Sequence, residues 1–152
     1  MDNQLILIPL IIVAFLIFFP ALWSAISLLS SFLWGWNAMA QRYSGQIPEH
    51  EINNQFTWRS GRFGWGGYSG VLTFTVSDHD LGISVLFLYR AGHPPLRIPF
   101  SEITATEEIM LMREVHMAFD GIPDRKLKIS KVLAEQIEQA SNGNWTFERR
   151  DP

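Results

Sequence analysis

The chain has 152 residues, a formal net charge of −3 and no cysteine. The near-neutral charge, with no extended basic run, argues against a nucleic-acid binder, and the lack of cysteine excludes disulfides, thiolate catalysis and cysteine-ligated metal sites. The length predicts one globular domain with an appendage.

The appendage is an apolar run at the N-terminus. No Asp, Glu, Lys or Arg occurs from Gln4 to Gln41, and 14 of the 18 residues from Leu5 to Leu22 are Leu, Ile, Val or Phe. A membrane span needs about 20 apolar residues, and each of these four residue types favours insertion by roughly 0.3–0.6 kcal/mol. We therefore predict a transmembrane helix over residues 4–36. The run is longer than that of a signal peptide and no basic residue precedes it, so we expect it to be retained as an anchor.

The end of the predicted span carries residue types that are enriched at membrane–water interfaces. The predicted interface anchors are Trp23, Trp34, Trp36 and Arg42. Because no Lys or Arg precedes the span and Arg42 follows it, the positive-inside rule favours a cytoplasmic domain, at the inner membrane if the protein is bacterial. We thus expect a single-pass protein that has the lipid bilayer as a partner.

Three serines, Ser24, Ser27 and Ser31, recur at helical spacing on one face of the predicted span. Small polar residues on such a face support close helix–helix contact. One interpretation is therefore self-association, or a membrane partner bound through the anchor. The other is that each hydroxyl bonds to the backbone of its own helix.

After the span, the composition changes to that of a linker and then to that of a sheet. Residues 37–54 are predicted to form a juxtamembrane segment and linker, since Gly, Pro and polar residues collect toward its end. Residues 55–152 contain short alternations of apolar and polar residues, which predict about seven half-buried strands. An amphipathic helix follows over residues 131–140, with Ser130 as its N-cap. Because strands do not alternate with helices, the sheet should be antiparallel.

Two segments carry a family resemblance. They are GWNAMAQRY, Gly35–Tyr43, and LGISVLFLYRAGHPPLRIPFSEI, Leu81–Ile103. Both resemble segments of small bacterial membrane-anchored proteins of unknown function, with Tyr89 and Phe100 in place of the usual Phe and Trp. The order of elements resembles the pleckstrin-homology-like domain. The resemblance implies a mainly β fold, an antiparallel barrel with one C-terminal helix, preceded by the transmembrane helix, and it implies no particular activity.

The segment GRFGWGGYSG, residues 61–70, is rich in glycine. It lacks the Gly-Lys-Ser/Thr of a phosphate-binding loop and precedes a strand rather than a helix. We expect a flexible hairpin loop in which Phe63, Trp65 and Tyr68 are exposed. These three aromatic residues are candidates for contact with a partner or with the membrane interface.

The segment RAGHPPLRIPF, Arg90–Phe100, is rich in proline. Two adjacent prolines predict a stiff corner, and Pro99 predicts an edge strand, because proline has no N–H to donate. His93 is either a corner residue whose imidazole bonds to nearby backbone or a partner contact or pH-sensitive switch. Arg97 is a second possible partner contact.

The sequence contains no constellation typical of catalysis. Asp78, His79 and Asp80 lie on one tight turn, and the adjacent Glu107 and Glu108 should point to opposite faces of a strand. We therefore predict no catalytic residue, no cofactor and no metal site, and an enzyme is the least favoured interpretation. The sequence favours a membrane-anchored interaction module that binds a protein at the membrane surface. The alternative is a module that binds lipid head groups.

Overall fold

The computed structural model describes residues 2–109 and 111–150, with only the backbone described for residues 2–5. Met1, Met110, Asp151 and Pro152 lie outside the described residues, so the predicted end of the domain at residue 152 falls there too. The elements are α1 (Asp2–Trp34), α2 (Trp36–Tyr43), β1 (Asn54–Phe63), β2 (Gly66–Val76), β3 (Asp80–Val85), β4 (Leu96–Pro99), β5 (Ile103–Ile109), β6 (Arg113–Phe119), β7 (Ile122–Ser130) and α3 (Lys131–Ala140).

Helix α1 is long and apolar enough to cross a membrane. Its stretch Ile6–Trp34 has 29 residues and a mean hydropathy of 2.8, and none of its most apolar window is buried within the protein. Every side chain from Ile6 to Leu22 is exposed. An apolar helix of this length without protein around it is the form expected of a span, on length and composition alone.

The seven strands form one antiparallel sheet in the order β4-β3-β2-β1-β7-β6-β5. The predicted strand number, the antiparallel pairing and the C-terminal helix are thus confirmed. β4 is an edge, as Pro99 predicts, and β5 is the other edge, so the observed pairing is that of an open sheet, which corrects the antiparallel barrel that the resemblance implied. Ser44 bridges to Leu96 of β4. Glu148 covers β5, since its N–H donates to Ala105 O at 2.9 Å.

The glycine-rich segment is mostly strand, which corrects the predicted flexible loop. β1 continues to Phe63 and β2 begins at Gly66, so only two residues form the turn. Phe63 and Tyr68 are 0% and 3% exposed, so the expectation that both are exposed is wrong. Close packing explains one of these glycines, because a Cβ on Gly66 would overlap the ring of Trp34. Trp65, at the turn, is 99% exposed, as expected.

Side chains of the sheet form a hydrophobic core, and helices α2 and α3 contribute residues to it. Strands contribute the alternating residues that the sequence predicted, including Leu72, Phe74 and Val76. α3 starts where Ser130 Oγ accepts a hydrogen bond from the Leu133 N–H at 3.3 Å, the predicted N-cap. It buries Leu133, Ala134 and Ile137.

Helix α2 belongs to the same core. Gly35, with φ 93°, separates it from α1, and Trp36, Met39 and Tyr43 are all buried. Trp36 packs against Phe63 with ring centroids 5.5 Å apart. Residues expected at the end of the span and in the juxtamembrane segment therefore form part of the interior of the folded domain.

Candidate functional site at the helix–sheet junction

The last third of α1 lies against the segment between β3 and β4, residues 86–95, which we call the corner loop. This loop makes few strand hydrogen bonds, and its two prolines have no N–H. A buried carbonyl without a partner is unfavourable, so the carbonyls of the corner loop require donors from elsewhere. The two N-terminal helices supply them.

Four side chains of α1 and α2 lie within hydrogen-bond distance of five carbonyls of the corner loop. The pairs are Trp23 Nε1 with Leu88 at 2.8 Å, Ser27 Oγ with Tyr89 and Ala91 at 2.9 Å each, Ser31 Oγ with Gly92, and Trp36 Nε1 with Pro94 at 3.0 Å. We call this set the clamp. The single Ser27 proton serves its two acceptors in turn. Each bond contributes about 1 kcal/mol, and together they fix the direction in which α1 leaves the domain.

Gly92 allows the two backbones to approach each other. Its φ of 74° is in the left-handed region, where a side chain is strained. An added Cβ would lie 2.9 Å from Leu28 Cδ2 and 3.1 Å from the Leu28 Cα. Glycine is therefore required here both by conformation and by the closeness of α1.

His93 lies beneath the clamp and is only 1% exposed. Its Nδ1 is 3.1 Å from the Ala91 carbonyl oxygen, and its Nε2 is 2.9 Å from the Tyr68 hydroxyl. A carbonyl can only accept, so Nδ1 carries the proton, and Nε2 accepts from Tyr68. The Trp36 ring packs 5.2 Å away.

Burial controls the ionisation of this pair. Removal from water lowers the pKa of His93 below 6.5 and raises the pKa of Tyr68 above its usual value. Both groups are thus uncharged near neutral pH. The imidazole makes the backbone bond expected of a corner residue, and contact of His93 with a partner would require α1 to move.

A groove of about 330 Å³ runs between α1 and β2, beside the clamp. Its walls are mostly apolar and include Trp23, Ile26, Trp34, Val71 and Tyr89. Such a groove suits an apolar chain or side chain, and offers no arrangement for acid–base or nucleophilic chemistry.

The four predicted interface anchors have different surroundings in the structure. Trp36 is fully buried in the domain core, which corrects its prediction as a membrane-interface anchor. Trp34 packs edge-on against the Tyr68 ring at 5.3 Å. Trp23 is partly exposed at the clamp, and Arg42 lies 3.6 Å from the Glu102 carboxylate.

Arg97 is held by acidic side chains of its own domain. Its guanidinium donates to Asp80 Oδ2 at 2.8 Å and to Glu51 Oε2 at 2.9 Å. The bond with Asp80 is the main reason that the pKa of Arg97 is raised. An acidic partner would therefore have to compete with two carboxylates already in place.

The serine face of α1 also has a use within the chain. Ser27 and Ser31 are 3% and 0% exposed against the corner loop, while Ser24 is exposed. Two of the three serines that predicted helix–helix contact thus form the clamp. Their spacing was the signal in the sequence, but their acceptors lie more than 60 residues away along the chain.

The adjacent acidic residues of β5 point to opposite sides, as predicted. Glu107 is buried, and its Oε1 lies 3.0 Å from Lys131 Nζ of α3. Glu108 is partly exposed and accepts from Arg150 at 3.1 Å. Within residues 2–109 and 111–150, no group of three or more His, Asp or Glu side chains is arranged to hold a metal ion.

Comparison of the chain with family models gave no match, and comparison with curated proteins gave none either. The resemblance carried by Gly35–Tyr43 and Leu81–Ile103 therefore stays a prediction.

Proposed function

We propose that the protein is a single-pass membrane-anchored interaction module. In this proposal α1 spans a bacterial membrane, and the domain, an open antiparallel sheet of pleckstrin-homology-like type with its C-terminal helix, binds another protein at the membrane surface. The module does no chemistry of its own. Its domain lies in the cytoplasm, as the position of Arg42 after the span favours.

The observation that carries this proposal is the clamp. A free tether would let the domain tumble beside the membrane, whereas hydrogen bonds from Trp23, Ser27 and Ser31 hold the domain on the end of α1. A domain fixed in this way presents the same surface outward at all times. Such pre-orientation lowers the entropy that a partner must lose on binding.

The outward surface has a suitable contact residue in Trp65. This side chain is 99% exposed at the tip of the β1–β2 hairpin. The hairpin sits beside Trp34, at the C-terminal end of α1. Exposed tryptophan is enriched at the centres of protein–protein interfaces, so we propose Trp65 as the main partner contact.

Head-group binding is the weaker alternative. The first hairpin offers two cations for anionic head groups, and one of them, Arg62, already pairs with Glu114 at 2.9 Å. The other, Arg59, lies with its guanidinium 5.9 Å from the centroid of the Phe56 ring. A formal net charge of −3 gives the chain no general attraction to anionic lipid.

Photocrosslinking tests the proposal. The full chain is expressed in bacterial cells and kept in their membranes. One variant carries the photoreactive residue benzoylphenylalanine in place of Trp65. The control variant carries it in place of Thr104, an exposed polar residue on β5. We expect ultraviolet light to give protein adducts of defined mass at position 65 and not at position 104. Absence of any protein adduct at position 65, with crosslinks to lipid alone, would favour the lipid alternative and contradict the proposal.

A further inference from the structure

We infer that the domain makes a second contact with the lipid bilayer, beside α1, through exposed apolar residues of the corner loop and of β1. These residues, which we call the turn patch, are Trp58, Phe87 and Leu88, together with the half-buried Leu86. The inference rests on the proposed membrane span, and it identifies the surface of the domain that faces the lipid.

The exposure of the turn patch is unusual for a folded domain in water. Phe87 is 67% exposed, Leu88 51% and Trp58 69%. The exposed fraction of Phe87 equals that of Phe18, which lies in the middle of the predicted span and is also 67% exposed. Neighbouring large apolar side chains that remain this open mark a surface that another apolar phase covers.

The clamp sets the level of the turn patch relative to the membrane. The predicted span of residues 4–36 is longer than the hydrocarbon layer is thick, so its C-terminal end must emerge from it. A helix that enters the hydrocarbon at Leu5 extends about 27 Å by Leu22, close to the hydrocarbon thickness of about 30 Å. Trp23 therefore lies at the boundary, where tryptophan is favoured. Its indole N–H bonds to the Leu88 carbonyl at 2.8 Å, so the turn patch begins at that same level.

Aromatic packing continues across this boundary. The Phe15 and Phe19 rings stack at 5.3 Å, the Phe19 and Trp23 rings at 6.1 Å, and the Trp23 ring meets Tyr89 edge-on at 5.3 Å. A strip of rings thus leads from the predicted span directly to the corner loop. Arg90, the next residue, is exposed and is placed to meet lipid phosphates.

Trp58 extends the patch onto β1. It shares a cavity of about 130 Å³ with Leu86 and Val71. A register shift in β1 surrounds it, and its φ of 56° is a left-handed conformation that is rare for a bulky residue. Such a conformation persists where the surrounding structure imposes it, and here the irregularity of β1 leaves the indole of Trp58 69% exposed.

Trp65 provides an internal control. It is an even more exposed aromatic residue, at 99%, but its hairpin lies beside Trp34 rather than Trp23. The 11 residues between these two tryptophans correspond to about 16 Å along α1. Trp65 should therefore lie in water, while Phe87 and Leu88 lie in lipid.

The absence of cysteine makes a depth measurement straightforward. The variants Phe87→Cys, Leu88→Cys, Trp65→Cys and Leu16→Cys each receive one nitroxide label. The full chain is placed in nanodiscs of phosphatidylcholine and phosphatidylglycerol. Collision rates with oxygen, which concentrates in lipid, are then compared with those of a water-soluble nickel chelate.

We expect labels at positions 16, 87 and 88 to collide preferentially with oxygen, and the label at position 65 with the nickel chelate. If position 16 lies in lipid while positions 87 and 88 match position 65, the turn patch does not touch lipid and the inference fails alone. If position 16 also lies in water, both the proposed span and the inference are wrong.

Discussion

At the scale of single residues, His93 links the corner of the sheet to the helix above it. Its two ring nitrogens bond to the Ala91 carbonyl and the Tyr68 hydroxyl, and Ser27 of α1 lies 3.5 Å from Nδ1. A proton added to Nε2 would reverse this bond, so the Tyr68 oxygen would accept from His93 and its own proton would need another partner. Together with burial, this favours the neutral imidazole.

This gives a pH dependence with a definite sign. Burial lowers the pKa of folded His93 below 6.5, so the unfolded chain takes up the proton more readily. The contribution of His93 to the free energy of unfolding is present in full above pH 6.5, and it is lost as the pH falls from 6.5 toward the lower pKa of the folded state. We expect the urea midpoint to fall between pH 7.5 and pH 5.5, and to fall less in His93→Gln.

His116 is the matched control for this experiment. Burial also lowers its pKa, with Lys128 as the next cause, so His116→Gln removes a second contribution and leaves that of His93. An equal drop in the midpoint for the unsubstituted protein and for His93→Gln would show that the buried imidazole does not couple folding to pH.

Gly92 provides a second test at this scale. Gly92→Ala introduces a strained left-handed alanine, at about 1–2 kcal/mol, and also forces a methyl group against Leu28, at about 1–3 kcal/mol. Gly143 has a similar φ of 83° with open space around it, so Gly143→Ala carries only the first penalty. Chemical unfolding should show that the free energy of unfolding of Gly92→Ala is lower than that of Gly143→Ala by about 1–3 kcal/mol. Equal destabilisation would mean that α1 does not press on Gly92.

At the scale of elements, the clamp connects α1 to a loop that makes few hydrogen bonds to the strands. Local patterns predicted both parts separately, the helix from its apolar run and the corner from its prolines. The contact between them was not predictable, because the local periodicity of a sequence does not indicate which distant carbonyl a serine hydroxyl will bond to. For the same reason Phe63 and Tyr68 were expected in solvent, although α2 and the end of α1 cover them.

Removing the clamp hydroxyls should loosen the corner loop. Ser27→Ala with Ser31→Ala removes the hydroxyl donors to the Tyr89 and Gly92 carbonyls, at about 1–3 kcal/mol for each site. Hydrogen exchange measured by mass spectrometry should rise in residues 86–95 and in the last turns of α1. The control is Ser24→Ala, which alters an exposed serine of the same helix. It should change the free energy of unfolding by no more than about 0.5 kcal/mol. Equal exchange in the two variants would contradict the clamp.

At the scale of the whole molecule, the sequence predicted the architecture better than the site. Period-two alternation identified the strands, and the position of Pro99 identified an edge, because both follow from local geometry. The apolar Val132 of α3 is 63% exposed, while its neighbour Leu133 is buried, because consecutive residues of a helix face different directions. The proposed function follows from none of these patterns alone, but from the clamp between α1 and the domain.

The clamp implies that the domain sits on α1 in one fixed orientation. Spin labels at Leu22→Cys on α1 and Thr104→Cys on β5, both exposed positions, report this orientation through the distance between the two labels in nanodiscs. We expect one narrow distance distribution, which broadens when Ser27→Ala and Ser31→Ala are added. A broad distribution in the chain that keeps both serines would show that the domain is freely tethered and that the clamp does not fix it.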